Sequence, residues 1–191
     1  MPPLTPSSRI PWLSLFAWFL AFGAPATSSF AARTWFVSAI ASPGGDGANW
    51  SRAFDALAPA LAAAAPGDAI WLRAGTYDLD ESVHVPSGVS LFGGFAGTED
   101  SPEARRAINF ANETTLRLRR AGASVAVLMD ASDVRLDGLT FTGANGKPGV
   151  VLVRCAPTVV LANCRITRNS APESGAGLSI RDRSQPRLHN V

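Results

Sequence analysis

A four-residue pattern returns in this chain at intervals of 25 and 27 residues. Leu136-Asp137-Gly138-Leu139 comes back as Leu161-Ala162-Asn163-Cys164 and again as Leu188-His189-Asn190-Val191. A repeat this short is one structural unit that can bury its apolar side only by stacking on its neighbours. A second strip runs in step with the first: Ala126-Val127-Leu128-Met129, Val151-Leu152-Val153-Arg154 and Leu178-Ser179-Ile180-Arg181. Both strips alternate apolar and other residues at period two, as half-buried strands do. A constant offset of 8 residues between the strips puts Leu128, Val153 and Ile180 in one interior column. Leu136, Leu161 and Leu188 form a second column, Leu139, Cys164 and Val191 a third, and Phe141 with Ile166 a fourth. Thr140 then faces outward.

Helix-pair repeats need about 33 to 47 residues, so the period excludes them. The Leu-x-x-Leu-x-Leu signature of a leucine-rich repeat is absent. Segments rich in Val, Leu, Ile and Thr, broken by Gly, Asn and Asp, favour short strands joined by tight corners. The expected fold is all-β: a right-handed parallel β-helix, its hand set by the general preference of parallel crossovers. Residues 70–191 carry the turns, and 27–69 form an N-terminal cap that covers the open end. Within the cap, Asp55 is expected to cap a short helix over about 55–65, with Leu57, Leu61 and Ala64 on one face. Pro59 falls near its start and Pro66-Gly67 stops it. Strands are expected at Ile70-Trp71-Leu72, Val83-His84-Val85 and Val89-Ser90-Leu91, the last running to Phe92-Gly93-Gly94-Phe95.

These motifs occur in a distinctive order. A loop, Pro43-Gly44-Gly45-Asp46-Gly47, is followed by Ala65-Pro66-Gly67-Asp68 and Ile70-Trp71-Leu72-Arg73-Ala74-Gly75-Thr76-Tyr77. Then come Leu91-Phe92-Gly93-Gly94-Phe95-Ala96-Gly97-Thr98-Glu99 and Val134-Arg135-Leu136-Asp137-Gly138-Leu139-Thr140-Phe141-Thr142-Gly143. From about Trp35 to Val191 the chain resembles the secreted bacterial right-handed parallel β-helix proteins of the pectate-lyase-like superfamily. The resemblance implies the fold and an exported protein. It leaves activity open, because that superfamily holds lyases, hydrolases, epimerases, adhesins and surface proteins.

The N-terminus agrees with export. Arg9 precedes an apolar stretch from Ile10 through Ala26, and Ala24-Pro25-Ala26 supplies the small residues of a cleavage site. Residues 1–26 are read as a signal peptide, with a later cut near Ala31 or Ala32 as the alternative. The competing reading is an uncleaved membrane anchor, for which the stretch is short against about 20 apolar residues; no second such segment follows, so no membrane span is expected after leader removal. What is left carries 16 basic and 15 acidic side chains, and this balance argues against a nucleic-acid partner. Basic charge gathers towards the end: Arg154, Arg165, Arg168, Arg181, Arg183 and Arg187 against Glu173 and Asp182 after Gly149. Cys155 and Cys164 are read as free thiols, Cys164 inside an apolar column and Cys155 around a corner from it.

Chemistry-bearing residues are sparse, and no catalytic residue is assigned. His84 and His189 both point outward from strands. Neither a G-x-S-x-G elbow, an HExxH helix nor a P-loop is present. No cofactor or metal is assigned; the alternative is Ca²⁺ held by Asp130, Asp133, Asp137 and Asp182, which offer oxygen ligands but do not recur at the period as a cage. Asn163 and Asn190 stand where Gly138 stands one turn earlier, as a corner ladder. The candidate binding residues are Arg154 and Arg181, 27 apart and read as equivalent positions one strand spacing, about 4.8 Å, from each other. Two guanidinium forks that close repel unless an anion bridges them, and a carboxylate fits. The competing reading pairs them with Asp182 and other acids.

The function expected is a secreted or cell-surface module, non-catalytic, that is adhesive, structural or bound to an acidic polysaccharide or cell-surface glycan. The alternative is a polysaccharide lyase or glycoside hydrolase acting on a uronate polymer. The third repeat stops at Val191, where its predecessors continue. The solenoid is therefore expected to be truncated there and to self-associate through the open end.

Overall fold

In the computed structural model, residues 31–105, 112–172 and 175–191 are described. The signal peptide expected over 1–26 lies outside them. Among the described residues, β1 (Thr34–Val37) is followed by a single α-helix, α1 (Leu57–Ala63). Thirteen further strands come next: β2 (Ala69–Arg73), β3 (Gly75–Leu79), β4 (Val83–His84), β5 (Ser90–Phe95), β6 (Thr114–Leu118), β7 (Ala126–Met129), β8 (Arg135–Asp137), β9 (Leu139–Thr142), β10 (Val150–Val153), β11 (Val160–Ala162), β12 (Arg165–Ile166), β13 (Leu178–Arg181) and β14 (Arg187–His189). The described residues are mostly β, and every strand pairing among them is parallel.

Three sheets result. The first runs β1-β2-β5-β8-β11-β14, the second β12-β9-β6-β3 and the third β13-β10-β7-β4. From β2 onward the chain visits first, second and third sheet in the same cyclic order. Each circuit therefore lays a new strand on each sheet beside the strand of the circuit before it.

The interior is built of rows that run across circuits. In the first sheet Ile70, Leu91, Leu136, Leu161 and Leu188 align, and all but Leu188 are fully buried. Tyr77, Leu116, Phe141 and Ile166 align in the second. The expected columns through Leu136 and Phe141 are therefore present.

The third sheet differs from expectation by one residue. Leu128 aligns with Leu152 and Ile180, whereas Val153 aligns with Met129 and Arg181 on the outward side. The cause is corner length. From Leu128 to Leu136 is 8 residues and from Ile180 to Leu188 is 8, but from Leu152 to Leu161 is 9. One extra corner residue flips every side chain of the inferred column to the other face.

Two further expectations are corrected. Asp55 does not cap α1: the cap position is Ala56, without a side-chain hydrogen bond. The helix starts later than expected and buries Leu57 and Ala60, with Leu61 and Ala64 only partly covered. Thr140 does lie in an outward row with Thr115 and Arg165, yet it is only 3% exposed. Its hydroxyl donates to Glu113 Oε1 at 2.9 Å, on the residue just before β6.

The N-terminal region is tied on by Asp68, at the start of β2. Its carboxylate accepts from Arg33 N at 2.8 Å, Trp35 Nε1 at 2.9 Å and Ala65 N at 3.0 Å. One side chain thus joins the entry to β1, the turn after α1 and β2. Burial opposes its ionisation. The hydrogen bonds from Ala65, Trp35 and Arg33 and the Arg33 charge outweigh that, so its pKa lies below the usual carboxylate value. At the C-terminal edge, interior-row residues Ile180 and Leu188 are 44% and 41% exposed.

Two outcomes follow. Leu152→Asp should cost more than about 4 kcal/mol, an unpaired charge in a dry row, while Val153→Asp stays within about 1 kcal/mol in urea unfolding; equal losses would mean the register is wrong. For Asp68 the depressed folded-state pKa means its stabilisation is present above the unfolded carboxylate value of about 4 and fades as pH falls through the lower folded value. Asp68→Asn should therefore flatten the loss of stability in acid, and an unchanged acid limb in pH-dependent thermal melts would count against the clamp.

Candidate functional site

Across the outward face of the third sheet, His84, Val127, Val151 and Ser179 form one row. The segments entering its strands rise beside that row as a wall. Gly122 N donates to Asn145 O at 2.7 Å, and Gly146 N donates to Ser170 O at 2.6 Å. The wall thus stacks turn on turn like the sheet. Gly122 and Gly146 turn the chain at φ +77° and +84°, a conformation that side chains with a Cβ rarely adopt.

Row and wall enclose a cleft of about 440 Å³, lined by Ser82, Ser124, Val127, Lys147, Val151 and Arg181 among others. It adjoins a second cleft of about 350 Å³ lined by Glu81, His84 and Arg120. Ser82, Gly122 and Ala123 border both. Arg181 folds back along its strand, its Nε donating to Ser179 Oγ at 2.8 Å. Neither Arg181 nor Lys147 has a carboxylate within 4 Å among the described residues.

Arg154 is placed differently. It is not level with Arg181, which aligns with Val153. Arg154 takes a left-handed corner conformation, as do Asp130 and Asp182. Its Nε and Nη2 donate to Asp130 Oδ1 and Oδ2 at 2.6 and 2.7 Å, and Nη1 lies 3.8 Å from Asp182 Oδ2. The arginine hydrogen bonds hold Asp130 below the usual carboxylate range. This corner is an acid–base–acid ladder, so the stacked pair of arginines expected from the 27-residue spacing is not formed: the extra corner residue before Leu161 displaces Arg154 by one.

The other singled-out residues fall into structural roles. Asp137 lies at the end of β8 and is buried. It pairs with Arg105 Nη2 at 2.9 Å and receives Arg135 Nε at 2.8 Å and Asn163 Nδ2 at 3.1 Å. Arg105 also lies over the ring of Phe92, 5.1 Å from its centroid. Asn190 Nδ2 donates to Asn163 Oδ1 at 3.1 Å, the expected corner ladder. Asp133 sits at an exposed corner. Among the described residues no group of three or more His, Cys, Asp or Glu is placed to hold a metal ion. His84 and His189 are exposed, and both cysteines are free and buried. Burial pushes the Cys164 thiol up to about 11, so it stays protonated at neutral pH.

Sequence reasoning missed Lys147 and Arg120. Both stand in loops outside the repeating strips, where spacing carries no signal. A roomier cleft of about 650 Å³ lies beside α1, β3 and β4, but Asp55, Asp78, Asp80 and Glu81 line it, and their charge disfavours an acidic ligand. No helix of the described residues is long and apolar enough to cross a membrane. Comparison of the chain with family models, curated proteins and solved structures finds no match.

Proposed function

We propose that the chain is an exported right-handed parallel β-helix of the pectate-lyase-like superfamily, acting as a non-catalytic surface or adhesive module that holds acidic polysaccharide in the groove of the third sheet. The cyclic order of the sheets, the parallel registers and the short corners support the fold. The crossover preference supports its hand. The Arg9–Ala26 segment supports export.

The observation that carries the ligand assignment is the groove itself. Lys147 and Arg181 lack carboxylate partners among the described residues and flank a floor of Val127 and Val151, with Ser82 and Ser124 hydroxyls at its edge. Cations over an apolar floor suit a chain that carries carboxylates on rings with C–H faces. Arg120 extends the positive charge along the adjoining cleft.

Affinity electrophoresis through polygalacturonate tests this. The double variant Lys147→Ala/Arg181→Ala should bind at least about tenfold more weakly, or about 1.4 kcal/mol. Arg154→Ala, whose charge is engaged by Asp130 and Asp182, should change binding by less than about twofold. Affinity should also fall as salt rises, since the cations are exposed. Undiminished binding by the double variant would refute the groove. Release of unsaturated, ultraviolet-absorbing product, with or without Ca²⁺, would replace the non-catalytic reading by the lyase one.

A further inference from the structure

We propose that the free edge of β3 binds an extended basic peptide of a partner protein as an added strand, in the cleft of about 650 Å³ beside α1, β3 and β4. The proposal does not rest on the reading of the groove of the third sheet.

The first argument is unpaired backbone. Among the described residues β3 is the outermost strand of the second sheet and pairs only with β6. Gly75 N donates to Glu113 O at 2.9 Å, and Arg119 N donates to Leu79 O at 2.9 Å, both on the β6 side. Alternate residues of a strand turn their N–H and C=O groups to opposite edges. Thr76 and Asp78 therefore present theirs on the far edge, where no described strand pairs with them. Both residues line the cleft. Such a row of unpaired donors and acceptors is a template for one more strand.

The second argument is the pair of surfaces that an added strand would meet. Tyr77 and Leu79 lie in the interior-facing row of β3, and Thr76 and Asp78 lie in the exposed row. On the interior side the cleft offers Leu61 and Leu79, both only partly buried where they pack against the core. On the other side the edge carries Asp78, followed by Asp80 and Glu81 at the corner before β4, all exposed. A strand that suits both sides alternates apolar and basic residues.

The third argument is charge. Asp78 is engaged by Arg117 and Arg119. Asp55, Asp80 and Glu81 line the same cleft and have no cation within 4 Å among the described residues. Charge of one sign along an open edge repels a second copy of that edge and selects a partner of the opposite sign.

Fluorescence anisotropy of the full chain with labelled peptides tests this. The probe alternates lysine and valine and is as long as β3. It should bind at least about tenfold more tightly than an isomer whose lysines all precede its valines, and than the counterpart with glutamate for lysine. Of two probes N-methylated at one or the other set of alternate amides, one should lose at least about tenfold, since an added strand uses one edge only. Asp80→Asn/Glu81→Gln should lower affinity at least about fivefold and leave the melting temperature unchanged or raised, because neither acid has a cationic partner. Lys147→Ala/Arg181→Ala should leave affinity intact. Exchange of the Thr76 and Asp78 amides should be fast in the free chain and slow with the probe bound. Equal binding of the isomer, or of both N-methylated probes, reduces the site to a patch of charge and overturns the added strand. No binding of the probe, or binding that leaves the Thr76 and Asp78 amides unprotected, overturns it as well. Sedimentation showing self-association that the probe does not disturb, with those amides protected, would assign the edge to a second copy and overturn the basic partner.

Discussion

Parallel pairing of each circuit with the next brings equivalent residues to within one strand spacing, about 4.8 Å, so whatever occupies a row must tolerate close copies of itself. Inside, the first sheet meets this with an unbroken aliphatic row from Ile70 to Leu188, which gains from stacking because each member covers the next. Outside, charged rows must alternate or be bridged. Asp78 lies level with Arg117 on the neighbouring strand and accepts from its Nε at 2.6 Å, and the corner of Asp130, Arg154 and Asp182 alternates in sign. The corner amides Asn163 and Asn190 instead bond to each other along the stack.

The candidate groove inherits its order from the same constraint. Its wall stacks through backbone hydrogen bonds from Gly122 and Gly146, and its floor is one outward row. Lys147 and Arg181 approach this floor from a loop and from a strand end. Among the described residues they escape the pairing that neutralises Arg154, and charge placed in this way is available to a ligand. The N-terminal region follows a different logic. It belongs to no repeat and is joined to the first sheet by β1 and by the carboxylate of Asp68, whose donors Arg33 and Trp35 lie more than 30 residues before it and whose donor Ala65 lies in the turn just before β2.

The sequence by itself determined the strand character, the interior rows through Leu136 and Phe141, and the Asn163–Asn190 ladder. Each of these depends on period-two alternation and on a spacing that holds between neighbouring repeats, both of which are local properties. Tertiary structure alone decided the rest. A single extra residue between Leu152 and Leu161 replaced Val153 by Leu152 in the core and set Arg154 among acids, and spacing from one strip to another could not reveal which corner would absorb it. Glu113 took the hydrogen bond of the Thr140 hydroxyl, and Arg105 reached Asp137 from 32 residues away. Contacts of that kind arise from how loops of unequal length return to a stack, and no periodicity in the residues records where such a loop will land.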